Sequence, residues 1–286
     1  MSKKKRLTFI AVWVLVLLAL LAAALLVPGG EKKESIQSVM RDAVLHGSNK
    51  ISLFGLKEVN PAYISALTVT GVMLLFALIV RVFAIPRFKM VPGKFQLVIE
   101  QAVEFFSNLA SSNSPHRNGF LGAYIFAAGA YIFVGTLFEL LGLQVVTTGG
   151  LSVALPAPLS DINAAIAMGC LSYLIILSGG IAGNRLKGVG QTLKDFSLPI
   201  SMSFRLFGAL LSGLLVTELV YYYINLSFVL PVVVGVLFTL LHALIQSYVL
   251  TMLTALFYGE MSEPKPPKQK HGKKAALQKP EAADLV

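Results

Sequence analysis

The sequence predicts an all-α, polytopic membrane protein with about six spans, including an N-terminal anchor and two long tilted helices that form a hairpin. Hydrophobic residues make up 56% of the 286 residues and charged residues 13%, far below the ~25% of a soluble domain. Apolar runs of membrane-spanning length recur along the chain. A transmembrane β-barrel would instead show alternating segments of about ten residues.

The basic residues indicate orientation rather than a nucleic-acid partner. The formal charge is +10, but Lys and Arg cluster at the ends of apolar spans, as they do in cytoplasmic loops. The N-terminal residues, the 81–94 and 185–194 loops and the tail are therefore placed inside. Segments 31–60, 142–160 and 225–231 then lie outside, and both termini are expected in the cytoplasm.

The first 30 residues predict a membrane anchor. Residues 8–27 are apolar and follow a run of four basic residues, a pattern that a signal peptide shares. The apolar core is long and no clear A-x-A cleavage site follows, which favours an uncleaved anchor. Residues 31–60 form an outer polar segment, in which a short surface helix is expected around 36–45.

Residues 61–260 are expected to form the membrane domain. Continuous apolar stretches predict spans at 62–80, 120–143, 161–181 and 232–258. Residues 95–113 are amphipathic and predict a helix at the membrane surface or against a partner. Residues 194–223 form one helical pattern of about 30 residues, or ~45 Å, which must tilt in a hydrocarbon core of ~30 Å. Residues 261–286 predict a basic, disordered cytoplasmic tail.

Arg205 is the most informative residue, because residues 201–216 contain no other ionisable group. Its guanidinium stays protonated and costs ~2.5–3.5 kcal/mol at a bilayer centre, so it marks an ion pathway. Other polar residues are distributed by depth. Gln246 is placed near the middle with Arg205, Asp195 and Ser201 towards the inside, and the outer half holds Glu139, Asp161, Asn163, Glu218 and His242.

Several of these residues have a simpler structural interpretation. Asp161 is at a position where it can cap a helix, and Glu139 can face water at the end of a span. His242 and Gln246 lie four residues apart on one helix face, where an interhelical hydrogen bond would account for them. Cys170 lies in an apolar run and is expected to be a packing residue. Small residues such as Gly208 and Ser212 permit close helix packing.

The segment Pro199-Ile200-Ser201-Met202-Ser203-Phe204-Arg205-Leu206-Phe207-Gly208 resembles the signature of subunit a of the F-type rotary ATP synthases. Three further stretches agree in the same order. They are Val91-Pro92-Gly93-Lys94-Phe95-Gln96, Asp161-Ile162-Asn163, and Gln246-Ser247-Tyr248-Val249 with Leu253-Thr254. The resemblance covers residues 40–260.

The resemblance implies the stationary channel subunit of the rotary membrane sector, in the cell (inner) membrane. This subunit passes H⁺ or Na⁺ through two offset half-channels to and from a carboxylate on a rotating c-subunit ring. Arg205 would face that carboxylate and separate the half-channels, and Gln246 would position the guanidinium. The implied partners are the c-ring, the b subunits of the peripheral stalk, the rest of the complex and membrane lipid. The resemblance implies no cofactor and no catalytic activity of its own.

Departures from the family pattern indicate a divergent member. Ala209 replaces an asparagine that follows the arginine motif. Leu214 stands at a family glutamate, while Glu218 lies one turn further on. Thr239 and Gln191 also stand at family polar positions, with His242 and Asp195 nearby. The half-channels are therefore expected either to be rebuilt with shifted carboxylates or to be narrower.

Two other classes stay open from the sequence. A secondary transporter could use Arg205 to bind an anionic substrate, but transporters show internal repeats and helices broken near the midplane. A structural membrane scaffold would leave the intramembrane Arg205 and Glu218 unexplained. The chain contains no G-x-x-x-x-G-K-[ST] loop, so the ATP chemistry is expected on another subunit.

Overall fold

The computed structural model describes residues 3–26, 35–38, 41, 51–53, 57–148, 150, 152–222 and 230–264. Within these ranges five helices are long and apolar enough to cross a membrane, which confirms the polytopic all-α prediction. The helices are α1 (Lys3–Leu26), α2 (Pro61–Ile79), α3 (Lys94–Asn113), α4 (Gly119–Phe138), α5 (Ile162–Lys194), α6 (Ser197–Tyr222) and α7 (Leu230–Ser262).

Helix α1 coincides with the predicted anchor. Its residues Thr8–Ala19 form an apolar stretch, and the large side chains from Phe9 to Leu18 are mostly exposed. Such a helix buries its apolar surface only against lipid or another chain. Of the surface helix expected around 36–45, residues 36–38 are helical and most of the rest lies outside the described residues. The tail from residue 265 also lies outside them.

Helices α4, α5 and α7 form the centre of the bundle. Their shared core includes Ile125, Ile132, Ile176 and Leu250, each 3% exposed or less. Small residues bring the backbones of α4 and α7 close together. The Ser247 hydroxyl on α7 can therefore donate a hydrogen bond to the Gly129 carbonyl on α4 at 2.8 Å. The amphipathic helix expected at 95–113 is α3, which packs on α4 and α7.

Two short hairpins were not predicted. Strand β1 (Ile51–Leu53) pairs antiparallel with β2 (Lys57–Val59), and β3 (Gln144–Val146) pairs with β4 (Ser152–Ala154). Three-residue strands are too short to show an alternating pattern in the sequence. An apolar cluster of Ile51, Val69, Phe138 and Leu155 ties both hairpins to the middle of α2 and the end of α4.

Helix α5 differs from its predicted span, which ended at residue 181. The helix continues to Lys194, with a break at Arg185, whose φ of 51° and ψ of −135° are strained for a non-glycine residue. After the break the last part of α5 folds back along its first part. The Tyr173 hydroxyl there donates to the Thr192 carbonyl at 3.0 Å. The basic residues here suggested a loop, but glycines at 180 and 188 let the two segments meet.

Candidate functional site

Helix α6 carries Arg205 without a break. The helix begins at Ser197, and the Leu198 N–H donates to the Asp195 carbonyl at 3.0 Å. Pro199 lies in the first turn, where a missing N–H costs no helical hydrogen bond. Arg205 is eight residues from the start of α6, about 12 Å along its axis. The uninterrupted helix expected around this arginine is present.

The Arg205 side chain lies on the open face of α6. Ser201, Gly208 and Ser212 are exposed with it, at spacings of three and four residues that define one helix face. A Cβ added to Gly208 would have no atom within 4 Å. The opposite face is buried through Met202, Leu206 and Leu210. The guanidinium therefore points away from the protein's own core, along a stripe of small residues.

Helix α5 fixes the position of α6 by a close backbone approach. A Cβ on Gly169 would collide with the Ser203 hydroxyl and lie 2.9 Å from the Pro199 carbonyl oxygen. The Ser203 hydroxyl is already engaged, donating to that carbonyl at 2.6 Å. Only glycine fits at position 169 without moving α6, and with it Arg205.

Helix α7 places His242 and Gln246 beside α6. The Nδ1 atom of His242 lies 3.8 Å from a Cβ built on Gly213. One turn further along α7, Gln246 is 6% exposed, and its Oε1 is buried and accepts no hydrogen bond from the part of the chain described. If α7 runs antiparallel to α6, Gln246 lies level with about Ala209, one turn from Arg205.

Asp161 caps the N-terminus of α5, at the end opposite Lys194. Its Oδ1 accepts from the Asn163 N–H at 2.7 Å, as the simpler interpretation of this residue expects. Its Oδ2 accepts from the Nδ2 of Asn60, whose own Oδ1 caps α2 through the Ala62 N–H at 3.0 Å. One amide therefore joins the N-termini of two helices. Sequence reasoning missed Asn60, although an Asn followed by Pro is a typical helix start.

A cavity of about 560 Å³ opens at this junction. Its polar lining comes from Glu58, Asn60, Tyr63, Asp161 and Asn163. Glu58 and Asn60 belong to the segment that was predicted only as an outer polar connection. Glu139 lies apart from this lining, half-buried in the 3₁₀ turn that follows α4. The structure thus joins two of the predicted outer residues and leaves Glu139 outside the group.

The remaining predicted residues occupy α6 and its start. Asp195 ends the fold-back of α5, where its N–H donates to the Thr192 carbonyl at 3.0 Å. Ser201 is exposed, one turn before Arg205. The backbone of Glu218 lies in the last turns of α6, and its side chain falls outside the described residues.

Asn60→Ala is expected to destabilise the protein, because it removes a helix cap and the partner of Asp161. Loss of a cap costs about 0.5–2 kcal/mol, and the Asp161 bond adds to this. Asn60→Asp keeps the cap but sets a second carboxylate against Asp161. The repulsion between the two carboxylates is expected to make Asn60→Asp the more destabilising of the two substitutions. Thermal unfolding in detergent measures both. Asn163→Ala, at an exposed position in the same cavity, is the control and should change stability little. Equal stability of all three variants would remove this role of Asn60.

Comparison with known proteins shows which family this chain is similar to. The family model of the ATP synthase A chain matches residues 64–259. The chain is 27% identical over 183 residues to ATP synthase subunit a of Cereibacter sphaeroides, covering 60% of this chain and 70% of that protein. It is 26% identical over 206 residues to ATP synthase subunit a of Histophilus somni, covering 58% and 76%. The family match runs from within α2 to near the end of α7, and leaves β1, β2 and Asn60 outside.

Proposed function

Because the chain belongs to the ATP synthase A chain family, we propose that it is the stationary ion channel of the ATP synthase membrane sector, with Arg205 separating two offset half-channels. Family membership makes it a multi-pass subunit of that complex. The finer assignment concerns the ion path, which carries H⁺ or Na⁺ to and from a carboxylate on each subunit of the c-ring.

The observation that carries the proposal is the open face of α6. An arginine in a membrane helix ordinarily turns towards a partner in its own bundle or a water-filled cavity. Arg205 instead shares an exposed face with Gly208 and Ser212, where small residues let another helix approach closely. A rotating helix that carries a carboxylate fits both the charge and the space. The ring is therefore proposed to contact this face.

The guanidinium can perform the separation by electrostatics alone. A fixed positive charge favours the ionised form of an approaching carboxylate, so a ring site gives up its ion as it reaches Arg205. Arginine cannot deprotonate, so protons cannot cross through it from one half-channel to the other. The membrane potential, worth ~2.3 kcal/mol per charge per 100 mV, sets the direction of transfer.

The two half-channels are assigned to opposite ends of the bundle. The outer path begins at the cavity beside Asp161 and Asn163 and continues to Glu218 and His242, near which Glu139 also lies in the predicted topology. The inner path runs by Asp195 and Ser201. The position of His242 against Gly213 supports a polar passage between α6 and α7. Gln246 is proposed to orient the guanidinium when the ring is in place.

The remaining partners are proposed from the family resemblance, and the orientation from the distribution of the basic residues. The b subunits of the peripheral stalk and lipid cover the remaining apolar surface, in the cell inner membrane with both termini in the cytoplasm. The chain makes and breaks no covalent bonds, and ATP chemistry belongs to a separate catalytic head. A transporter built around Arg205 has less support, because α6 is unbroken there.

Glu218→Gln tests the outer path. Glutamine keeps the shape of the side chain but cannot carry a proton, so ATP-driven pumping should slow by on the order of tenfold or more. Pumping is measured by fluorescence quenching in inverted membrane vesicles with equal amounts of assembled complex. Glu104→Gln, at an exposed position on α3, is the matched control and should pump normally. Wild-type rates in Glu218→Gln would exclude Glu218 from the path.

A further inference from the structure

A second cavity, of about 710 Å³, lies where the end of α2 meets the start of α3. Its walls are apolar and aromatic, and its rim carries three cations, Arg87, Lys89 and Lys94. We propose that this groove binds an anionic phospholipid, with acyl chain on the aromatic wall and phosphate between the cations. The main wall residues are Phe76, Ile79, Val80, Phe83, Phe88 and Phe95.

The groove forms because α2 changes its winding. After Ile79 the chain continues as a π-helical turn, Val80–Ala84, and then as a 3₁₀ turn, Ile85–Arg87. Each change of winding rotates the following side chains away from the regular helix face. Phe83, at 57% exposed, and Arg87 are thereby presented next to the start of α3.

The cationic rim is held in place by Gln96, which is 9% exposed. Its Oε1 accepts from the Lys89 N–H at 3.0 Å, and its Nε2 donates to the Lys89 carbonyl at 2.9 Å. The Nε2 also donates to Glu100 at 2.7 Å. Glu100 is the nearest acidic residue along the chain, and its carboxylate accepts from the neutral Gln96 amide. The lining of the groove itself holds three cations and no carboxylate, so the rim is a built feature with a net positive charge.

The start of α3 adds to the attraction for an anion. Gly93 is its N-cap and provides no side-chain cap for the N–H groups of the first turn. Those N–H groups and the helix dipole favour a phosphate, and Lys94 lies at the same place. The support here is secondary to the cations and the aromatic wall.

A phospholipid fits this combination better than a protein helix does. The groove has an apolar part along a membrane span and a cationic part at its end, which matches one molecule with acyl chains and a phosphate. The rim lies in the 81–94 segment, predicted to face the cytoplasm, where basic pockets between helices bind anionic headgroups. A protein partner, such as a stalk helix, would have to supply carboxylates at the same level.

The test uses the intact complex in phosphatidylcholine vesicles that contain a photoactivatable phosphatidylglycerol as a minor component. Crosslinked peptides are identified by mass spectrometry, and photoactivatable phosphatidylcholine gives the background. We expect the anionic probe to label residues 76–96 well above this background. The excess should disappear in the triple variant Arg87→Gln, Lys89→Gln and Lys94→Gln. Each cation is expected to raise the affinity for the anionic probe about fivefold. The charge-matched control, Arg117→Gln with Arg185→Gln and Lys187→Gln, should keep the excess.

Three outcomes would overturn the proposal. They are equal labelling by the two lipids, persistence of the excess in the groove variant, and labelling of a stalk subunit by the anionic probe in place of residues 76–96. Displacement of the probe by free inorganic phosphate would also count against it, since the acyl chain would then contribute nothing. If the triple variant does not assemble, Lys89→Gln and Lys94→Gln are measured singly and should each lower the excess.

Discussion

Arg205→Ala is expected to abolish ATP-driven pumping while the complex still assembles. At an effective dielectric constant near 20, a charge 4 Å from a carboxylate favours ionisation by ~4 kcal/mol. Its loss removes this preference for the ionised form, so a ring site keeps its proton past the exit. Because Arg205 is exposed and packs into no core formed by the described residues, we expect its removal to leave the fold itself unaffected.

Arg205→Lys separates charge from chemistry. Lysine supplies a cation, but its pKa falls readily when it is desolvated and it lacks the planar fork of arginine. Pumping by this variant should fall strongly, with some residual coupling. Arg81→Ala, an exposed arginine on the π-helical turn after α2, is the control and should pump at the normal rate. Full pumping by Arg205→Lys would defeat the role proposed for the guanidinium.

Gly208→Leu is expected to block rotation. Position 208 is open in this chain, so leucine fits the isolated subunit and even improves helix propensity. In the proposed complex the same side chain occupies the space of a ring helix one turn from Arg205. Overpacking of this kind costs about 1–3 kcal/mol, which corresponds to a fall in pumping of about fivefold to more than a hundredfold.

Gly71→Leu is a matched control for this variant. Gly71 is also an exposed glycine in a helix, α2, with nothing within 4 Å of an added Cβ. Both substitutions change helix propensity and surface area alike, so they differ only in the face that they alter. Pumping and ATP hydrolysis are measured in vesicles with equal complex content. Equal activity of the two variants would mean that the ring does not contact the Gly208 face.

The sequence predicted the helices best where the apolar runs were long. The spans at 62–80 and 120–143 agree with α2 and α4, apart from short turns at their ends. The long pattern at 194–223 agrees with α6 within three residues at its start. Continuous hydrophobicity and a lack of helix breakers determine these elements locally, so little tertiary information was needed.

The break in α5 could not be predicted in the same way. Arg185 adopts a backbone conformation that glycine prefers, although glycines lie nearby at 183 and 188. Tertiary contacts impose it, since Gly188 approaches the Gly180 carbonyl closely. The link between Asn60 and Asp161 has the same cause, because 101 residues separate two groups that meet only in the folded chain.

The candidate site was only partly predictable, and for a different reason. Arg205 was identified by the cost of a charge in an apolar run, which needs no structure. The direction of its side chain required the fold, because Met202 and Leu206 decide which face of α6 is buried. The roles proposed for Glu218, His242 and Gln246 involve the ring of the proposed complex, which the sequence of this chain does not describe.

The most direct test of the proposed separator is passive proton conductance. Inverted vesicles with Arg205→Ala complexes are stripped of the catalytic head, and proton uptake is driven by a potassium diffusion potential. If Arg205 separates two half-channels, the variant should conduct protons faster than wild type, and a blocker of the ring carboxylate should remove the excess. Conductance equal to wild type in both directions, with the complex shown to be assembled, would contradict the proposal.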